Sequence, residues 1–137
     1  MKFRLFAKVV LGCVLLSLPT TAKDVVHKAQ VHFYKGTTGT TIKGKIKGYD
    51  TFNYTLGAKS GQYMRVSLET KHTATYFNIF EPGKGPGEAA MFIGSTQGKS
   101  YTGNLPADGT YTIQVYMMRS AARRNEISNY KLHIGID

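Results

Sequence analysis

The stretch "MMRSAARRNEISNY", Met117 to Tyr130, places three arginines within six positions, Arg119 to Arg124. Elsewhere arginine occurs only at Arg4 and Arg65, and thirteen lysines supply the remaining positive charge. A guanidinium presents a planar fork that grips a carboxylate through two parallel hydrogen bonds, whereas an ammonium is a point charge. The local switch from lysine to arginine is therefore a change of chemistry, not only of charge. Arg119 and Arg123 are four apart, so one helical turn places them on the same face. Ala121 and Ala122 favour such a turn and leave the guanidiniums uncovered. The same spacing turns Arg124 away. Two readings stand at this point: an exposed pair built to grip carboxylates, or a solvated basic loop in which Glu126 pairs with Arg123.

A second conflict lies in "KGYDTF". Asp50 falls on the parity that carries Ile42 and Ile46 before it and Phe52 and Leu56 after it. A carboxylate buried there without a partner is costly. A bend at Gly48–Asp50 that presents Tyr49 and Asp50 outward removes the conflict. An ordinary Asp turn is the plainer alternative.

Other chemistries find little support. His27, His32, His72 and His133 stand at no metal-ligand spacing from one another, and His32 and His133 fall on polar strand faces as solvated side chains. No metal or cofactor is expected. No nucleophile elbow of the G-x-S-x-G kind occurs. Glycoside hydrolysis needs two carboxylates flanking one bond. Only eight exist, and Asp24, Asp108 and Asp137 sit at the start, in a turn signal and at the end. "GKGPG", Gly83 to Gly87, carries a proline and precedes no helical pattern, so it reads as a wide turn and not a phosphate loop. Nine tyrosines among many lysines suggest a stacking platform for single strands. Tyr111 and Tyr130, however, fall on apolar strand faces, and no nucleic-acid partner is expected. A binding protein, not an enzyme, is the expectation.

The elements that must position these residues announce themselves by period two. Val31 and Phe33 oppose His32 and Tyr34; Ile42, Gly44 and Ile46 oppose Lys43, Lys45 and Lys47. Met64, Val66 and Leu68 repeat the pattern, as do Tyr111 to Met117 and Tyr130 to Ile136. "KGTTGT", "AKSGQ", "EPGKGPGE", "TQGKS" and "PADGT" supply the turns. Strands are expected near 28–34, 40–47, 51–56, 62–69, 75–80, 90–94, 99–103, 110–118 and 129–136. The expected fold is all-β: a single-domain antiparallel β-sandwich of about eight strands, with a short helical turn near 119–126.

The N-terminus has a basic start, an apolar run from Val9 to Leu18 and then "TTA", the layout of a secretory signal peptide over residues 1–22. The run is shorter than the ~20 residues that span a bilayer, so no membrane anchor is expected after cleavage. Cys13 leaves with it, and the domain at 23–137 carries no disulfide. That domain holds 15 basic and 8 acidic residues, a net charge of +7. Such a surface suits nucleic acid, lipopolysaccharide or anionic cell wall, and scattered lysines also serve solubility.

The signal peptide, "IKGYD" followed by "Y" and "GQ", the late "LPADGTYTIQV", the R-x-x-A-R tract and the final "YKLHI" strand occur in this order. Together they resemble the periplasmic inhibitors of g-type (goose-type) lysozyme, over nearly all of the mature chain. More distantly, the G-T-Y strand and closing strand are similar to β-sandwich domains of bacterial secreted peptidases, a likeness of fold rather than function. The S-G-x-x-Y loop of c-type lysozyme inhibitors is matched only by "SGQY", Ser60 to Tyr63, one residue short. The resemblance implies a periplasmic partner of g-type lysozyme that blocks the active-site cleft and protects peptidoglycan. It implies contact through loops at one end of the sandwich, with Tyr49, Asp50, Arg119 and Arg123 at the matching positions. The alternative is a periplasmic polyanion- or cell-wall-binding module without an enzyme target.

Overall fold

Each apolar-alternating segment must bury one face, and two sheets packed face to face satisfy them all. A computed structural model describes residues 24–137; the expected signal peptide lies outside the described residues. The strands are β1 (Val26–Gln30), β2 (Gly39–Lys47), β3 (Thr51–Ala58), β4 (Tyr63–Thr70), β5 (Thr75–Phe80) and β6 (Phe92–Ile93). After the short helix α1 (Gly94–Gln97) come β7 (Ser100–Asn104), β8 (Gly109–Met117), the helical turn α2 (Arg119–Ala122) and β9 (Ile127–Ile136). One sheet has the order β1-β3-β8-β5-β6 and the other β2-β9-β4-β7.

Nine strands thus stand among the described residues where about eight were expected, and β2 to β9 begin and end within about two residues of expectation. The first strand differs. It comes earlier than 28–34 and pairs parallel with β3, Val26 opposite Thr51, so the sandwich is antiparallel except at this edge. The pairing runs on through the Val31 N–H to the Thr55 carbonyl at 2.8 Å, and a turn at Tyr34–Thr37 then carries the chain to the other sheet. Val31 is buried and His32 exposed, as their alternation implies, but they belong to this crossing and not to a strand.

Phe77, Ile79, Ile113 and Val115 of one sheet and Met64, Val66, Leu132 and Ile134 of the other form the core. A polar bridge crosses it. The Tyr54 and Tyr130 hydroxyls lie 2.7 Å apart in the interior. Burial, and then the bond to Tyr54, push the Tyr130 phenol well above its usual range. Gly44, opposite Tyr130 in the β2–β9 register, makes room for the ring: a Cβ there would lie 2.4 Å from it. That close approach explains a glycine between Ile42 and Ile46.

Three chain crossings between the sheets emerge at one end: the β4–β5 connection, residues 71–74, and the two that carry the residues singled out above. The β2–β3 connection covers residues 48–50, and the β8–β9 connection runs from 118 to 126. Lys47 pairs with Ile127, and Phe52 with Val115, so the crossings leave the sheets side by side.

Candidate functional site

The β2–β3 crossing is a tight turn. The Asp50 N–H donates to the Lys47 carbonyl at 3.0 Å, and Gly48 takes φ +60°, a left-handed conformation natural to glycine. The bend expected at Gly48–Asp50 is there. Tyr49 is 45% exposed, a large aromatic held in solvent. Asp50 is partly turned inward: its Oδ1 accepts the Val25 N–H at 3.0 Å, and its Oδ2 lies 3.9 Å from His27 Nε2. One carboxylate oxygen therefore ties down the start of the described chain, and the plainer Asp-turn role holds together with the outward bend.

The β8–β9 crossing supplies the arginines. The Arg123 N–H donates to the Arg119 carbonyl at 2.8 Å, the i to i+4 bond that stacks these two residues on one side of α2. Ala121 and Ala122 face the interior, about 1% exposed each, and anchor the turn. Asn125, at φ 56°, then reverses the chain in the left-handed conformation that Asn tolerates best after Gly. Glu126 turns back under the tract, and its carboxylate takes Arg124, with Nε to Oε2 at 2.7 Å. The pairing of Glu126 with Arg123 is therefore corrected to Arg124. Among the described residues Arg119 and Arg123 have no carboxylate within ion-pair distance.

The two crossings touch. The Gly48 N–H donates to the Glu126 carbonyl at 2.9 Å, and a Cβ on Gly48 would fall 2.7 Å from the Asn125 side-chain oxygen. Tyr49, Asp50, Met118 and Arg119 share the wall of an open cavity of about 330 Å³, floored by Asn78, Gln114 and Tyr116. Arg123 does not line that cavity; it stands one helical turn further along the same ridge. Met118, 39% exposed, adds an adaptable apolar contact between Tyr49 and Arg119 that the sequence pattern did not single out.

Beneath the ridge lies a polar relay that period-two reading also missed. The Ala74 N–H donates to His72 Nδ1 at 3.2 Å, and His72 Nε2 is hydrogen-bonded to Glu126 Oε1 at 2.8 Å. The Thr75 hydroxyl, fully buried, donates to Ser128 Oγ at 2.7 Å and lies 2.9 Å from His72 Nδ1. The bond from His72, then that from Arg124, hold the Glu126 carboxyl below its usual range. His72 is thus an engaged side chain at the site. His133, expected to be solvated, bonds Thr41 and Glu69. Among the described residues no group of three or more His, Cys, Asp or Glu is gathered to hold a metal ion.

Fold and ridge together define a small β-sandwich recognition protein that presents two braced crossings at one end. No family model matches the chain. A curated protein from Escherichia coli K12, "Inhibitor of g-type lysozyme", is 34% identical over 99% of both chains, and by that relation this chain belongs to the family of g-type lysozyme inhibitors. The crystal structure of a periplasmic inhibitor of g-type lysozyme from Aeromonas hydrophila is similar, with TM-score 0.78 and 42% identity over 84% of this chain and all of that one. An inhibitor of the same description from Salmonella Typhimurium gives TM-score 0.64 and 28% identity over 81% of this chain and 98% of that one. A pre-peptidase C-terminal domain of a Bacillus anthracis collagenase, 16% identical with TM-score 0.52 over 86% of this chain and 100% of that one, shares the sandwich alone.

Proposed function

We propose that this protein inhibits g-type lysozyme in the periplasm by occupying the enzyme's active-site cleft, with Tyr49, Asp50, Arg119 and Arg123 as its contact residues. The inhibitory activity and the compartment follow from relatives that are named as periplasmic inhibitors of this enzyme. The assignment of the site rests on one observation: the "GYD" turn and the arginine turn are clamped together through Gly48 and Glu126, and the clamp leaves Arg119 and Arg123 unpaired. Of the two carboxylates at this end, Glu126 is claimed by Arg124 and His72 and Asp50 accepts the Val25 N–H, so the two free guanidiniums keep their capacity for carboxylates of a partner. A glycosidase cleft is lined by the carboxylates its chemistry needs. Two preorganised arginines meeting them in a water-poor cleft form charge-assisted, bidentate bonds where substrate would sit. Tyr49 adds a rigid aromatic anchor of the kind that dominates interface energetics.

A basic inhibitor gains little long-range attraction toward an enzyme that is itself basic, so its complementarity is local and loss of an arginine acts mainly on the off-rate. The test is inhibition of g-type, c-type and i-type lysozymes by the purified protein. Inhibition is expected for the g-type enzyme. The double variant Arg119→Ala/Arg123→Ala is expected to weaken it by about a hundredfold or more, about 2.7 kcal/mol. A double variant that inhibits as well as wild type removes these arginines from the site.

A further inference from the structure

We propose that the outer face of the four-stranded sheet is a second binding surface, and that its ligand is a linear, carboxylate-bearing polysaccharide. The first observation is a division of charge. Strands β3, β5, β6 and β8 contain no charged residue at all, and in their sheet only the edge strand β1 carries a lysine, Lys28. The opposite sheet carries Lys43, Lys45 and Lys47 on β2, Lys131 on β9 and Arg65 on β4, all exposed. Lysines placed only for solubility have no reason to collect on one side of a sandwich.

The second observation is their register. Lys43 stands directly opposite Lys131, a like-charge cross-strand pair that opposes folding. Glu69 flanks Lys131 on its other side but is bonded to His133, and it is the only carboxylate on the four strands. Among the described residues none of the three β2 lysines has an ion-pair partner. Alternate residues on a strand lie about 7 Å apart, so the three lysines stand in a file along the exposed face of β2.

The third observation is shape. Two open cavities, of about 800 and 760 Å³, lie end to end on this face: Lys43, Glu69 and Lys131 line one, and Thr41, Ser67 and His133, the next outward residues on the same strands, line the other. The second is rich in hydroxyls and is flanked by Tyr34, a ring 84% exposed with nothing packed over it. A file of ammonium groups leading to hydroxyls and a bare aromatic ring matches a chain of sugars that bear carboxylates. Point charges serve the carboxylates, hydroxyls serve the sugar hydroxyls, and the ring offers an apolar plane to a sugar face. A flat phospholipid surface would use the charges but neither the trough nor the hydroxyls.

This inference does not depend on the lysozyme-binding reading, and the experiment keeps them apart. Binding of the purified protein is measured to polygalacturonate, to neutral dextran of similar length and to phosphatidylglycerol vesicles, between about 50 and 200 mM salt. The protein is expected to bind polygalacturonate, in a salt-dependent way, in preference to the other two. Lys43→Gln/Lys45→Gln/Lys47→Gln is expected to weaken that binding by about tenfold or more and to flatten its salt dependence, while inhibition of g-type lysozyme is unchanged. Arg119→Ala/Arg123→Ala should do the reverse. Should loss of the lysines let the β2 edges associate, Lys71→Gln/Lys131→Gln carries the test, since Lys71, just after β4, lines the larger cavity together with Lys131. The proposal is overturned by absence of polygalacturonate binding, by equal or better binding of vesicles or dextran, by binding that survives both lysine variants, or by binding lost with the arginines.

Discussion

At the scale of single residues, the geometry of the proposed site depends on two left-handed positions facing each other. Gly48 at φ +60° and Asn125 at φ 56° are in contact, one from each crossing. Gly48→Ala adds a Cβ against the Asn125 oxygen in a conformation that costs an L-residue roughly 1–2 kcal/mol. The expected result is a lower unfolding midpoint in urea and weaker lysozyme inhibition together. In a double-mutant cycle with Arg119→Ala the inhibition losses should fall short of additivity, because one contact surface is being disrupted twice. Additive losses would mean that the turn and the tract act independently. Arg124→Ala, by contrast, removes only one of the two partners of Glu126 and should leave inhibition within about threefold of wild type, an exposed pair of this kind being worth little. Much of this was legible beforehand. The i, i+4 spacing of Arg119 and Arg123 is local, and so is the parity conflict at Asp50. The partner of Glu126 was not legible, because the reversal at Asn125 decides which arginine faces it. Nor was His72, which reaches Glu126 from 54 residues away; periodicity carries no information about such contacts.

At the scale of elements, strand positions follow from period two, since each segment has one face to bury wherever its neighbours come from. Pairing partners do not follow. The segment from Ala29 to Tyr34 alternates as well as any other, yet only its first part is strand, and nothing in the alternation states that β1 runs parallel to β3. Gly44 illustrates a different limit: its parity marked it as inward, but the tyrosine it accommodates lies on another strand. The Tyr54–Tyr130 bridge, like the Thr75–Ser128 bond, couples the two sheets by a buried polar contact, and it yields a signed prediction. Tyr130→Phe or Tyr54→Phe alone leaves one buried hydroxyl without a partner, at about 1–3 kcal/mol. The double replacement removes both hydroxyls, so its cost should be clearly smaller than the sum of the two. Equilibrium unfolding in urea of the four proteins measures this, and strict additivity would show that the hydroxyls reach solvent instead of each other.

At the scale of the whole molecule, the four-stranded sheet is held at its margins by carboxylates whose charged form is favoured in the fold. The bond from His72, then that from Arg124, depress Glu126 just before β9; the bond from His133, then Lys131, depress Glu69 on β4; Arg65 depresses Asp137 just after β9. Each group therefore binds protons less readily folded than unfolded. The stability it contributes is complete above its unfolded value, 4.5 for the glutamates and 3.8 for the aspartate, and is lost as pH falls through the lower folded value. The melting temperature should hold level from about pH 7 to about pH 5 and fall steeply below about pH 4, where the protein's positive charge also goes unbalanced. Glu126→Gln should melt lower at neutral pH and converge on wild type in acid, because the interaction it removes is one that acid removes anyway. Thermal melts across that range check this: a decline already under way between about pH 7 and 5 would show that these carboxylates do not set the acid limit of the fold.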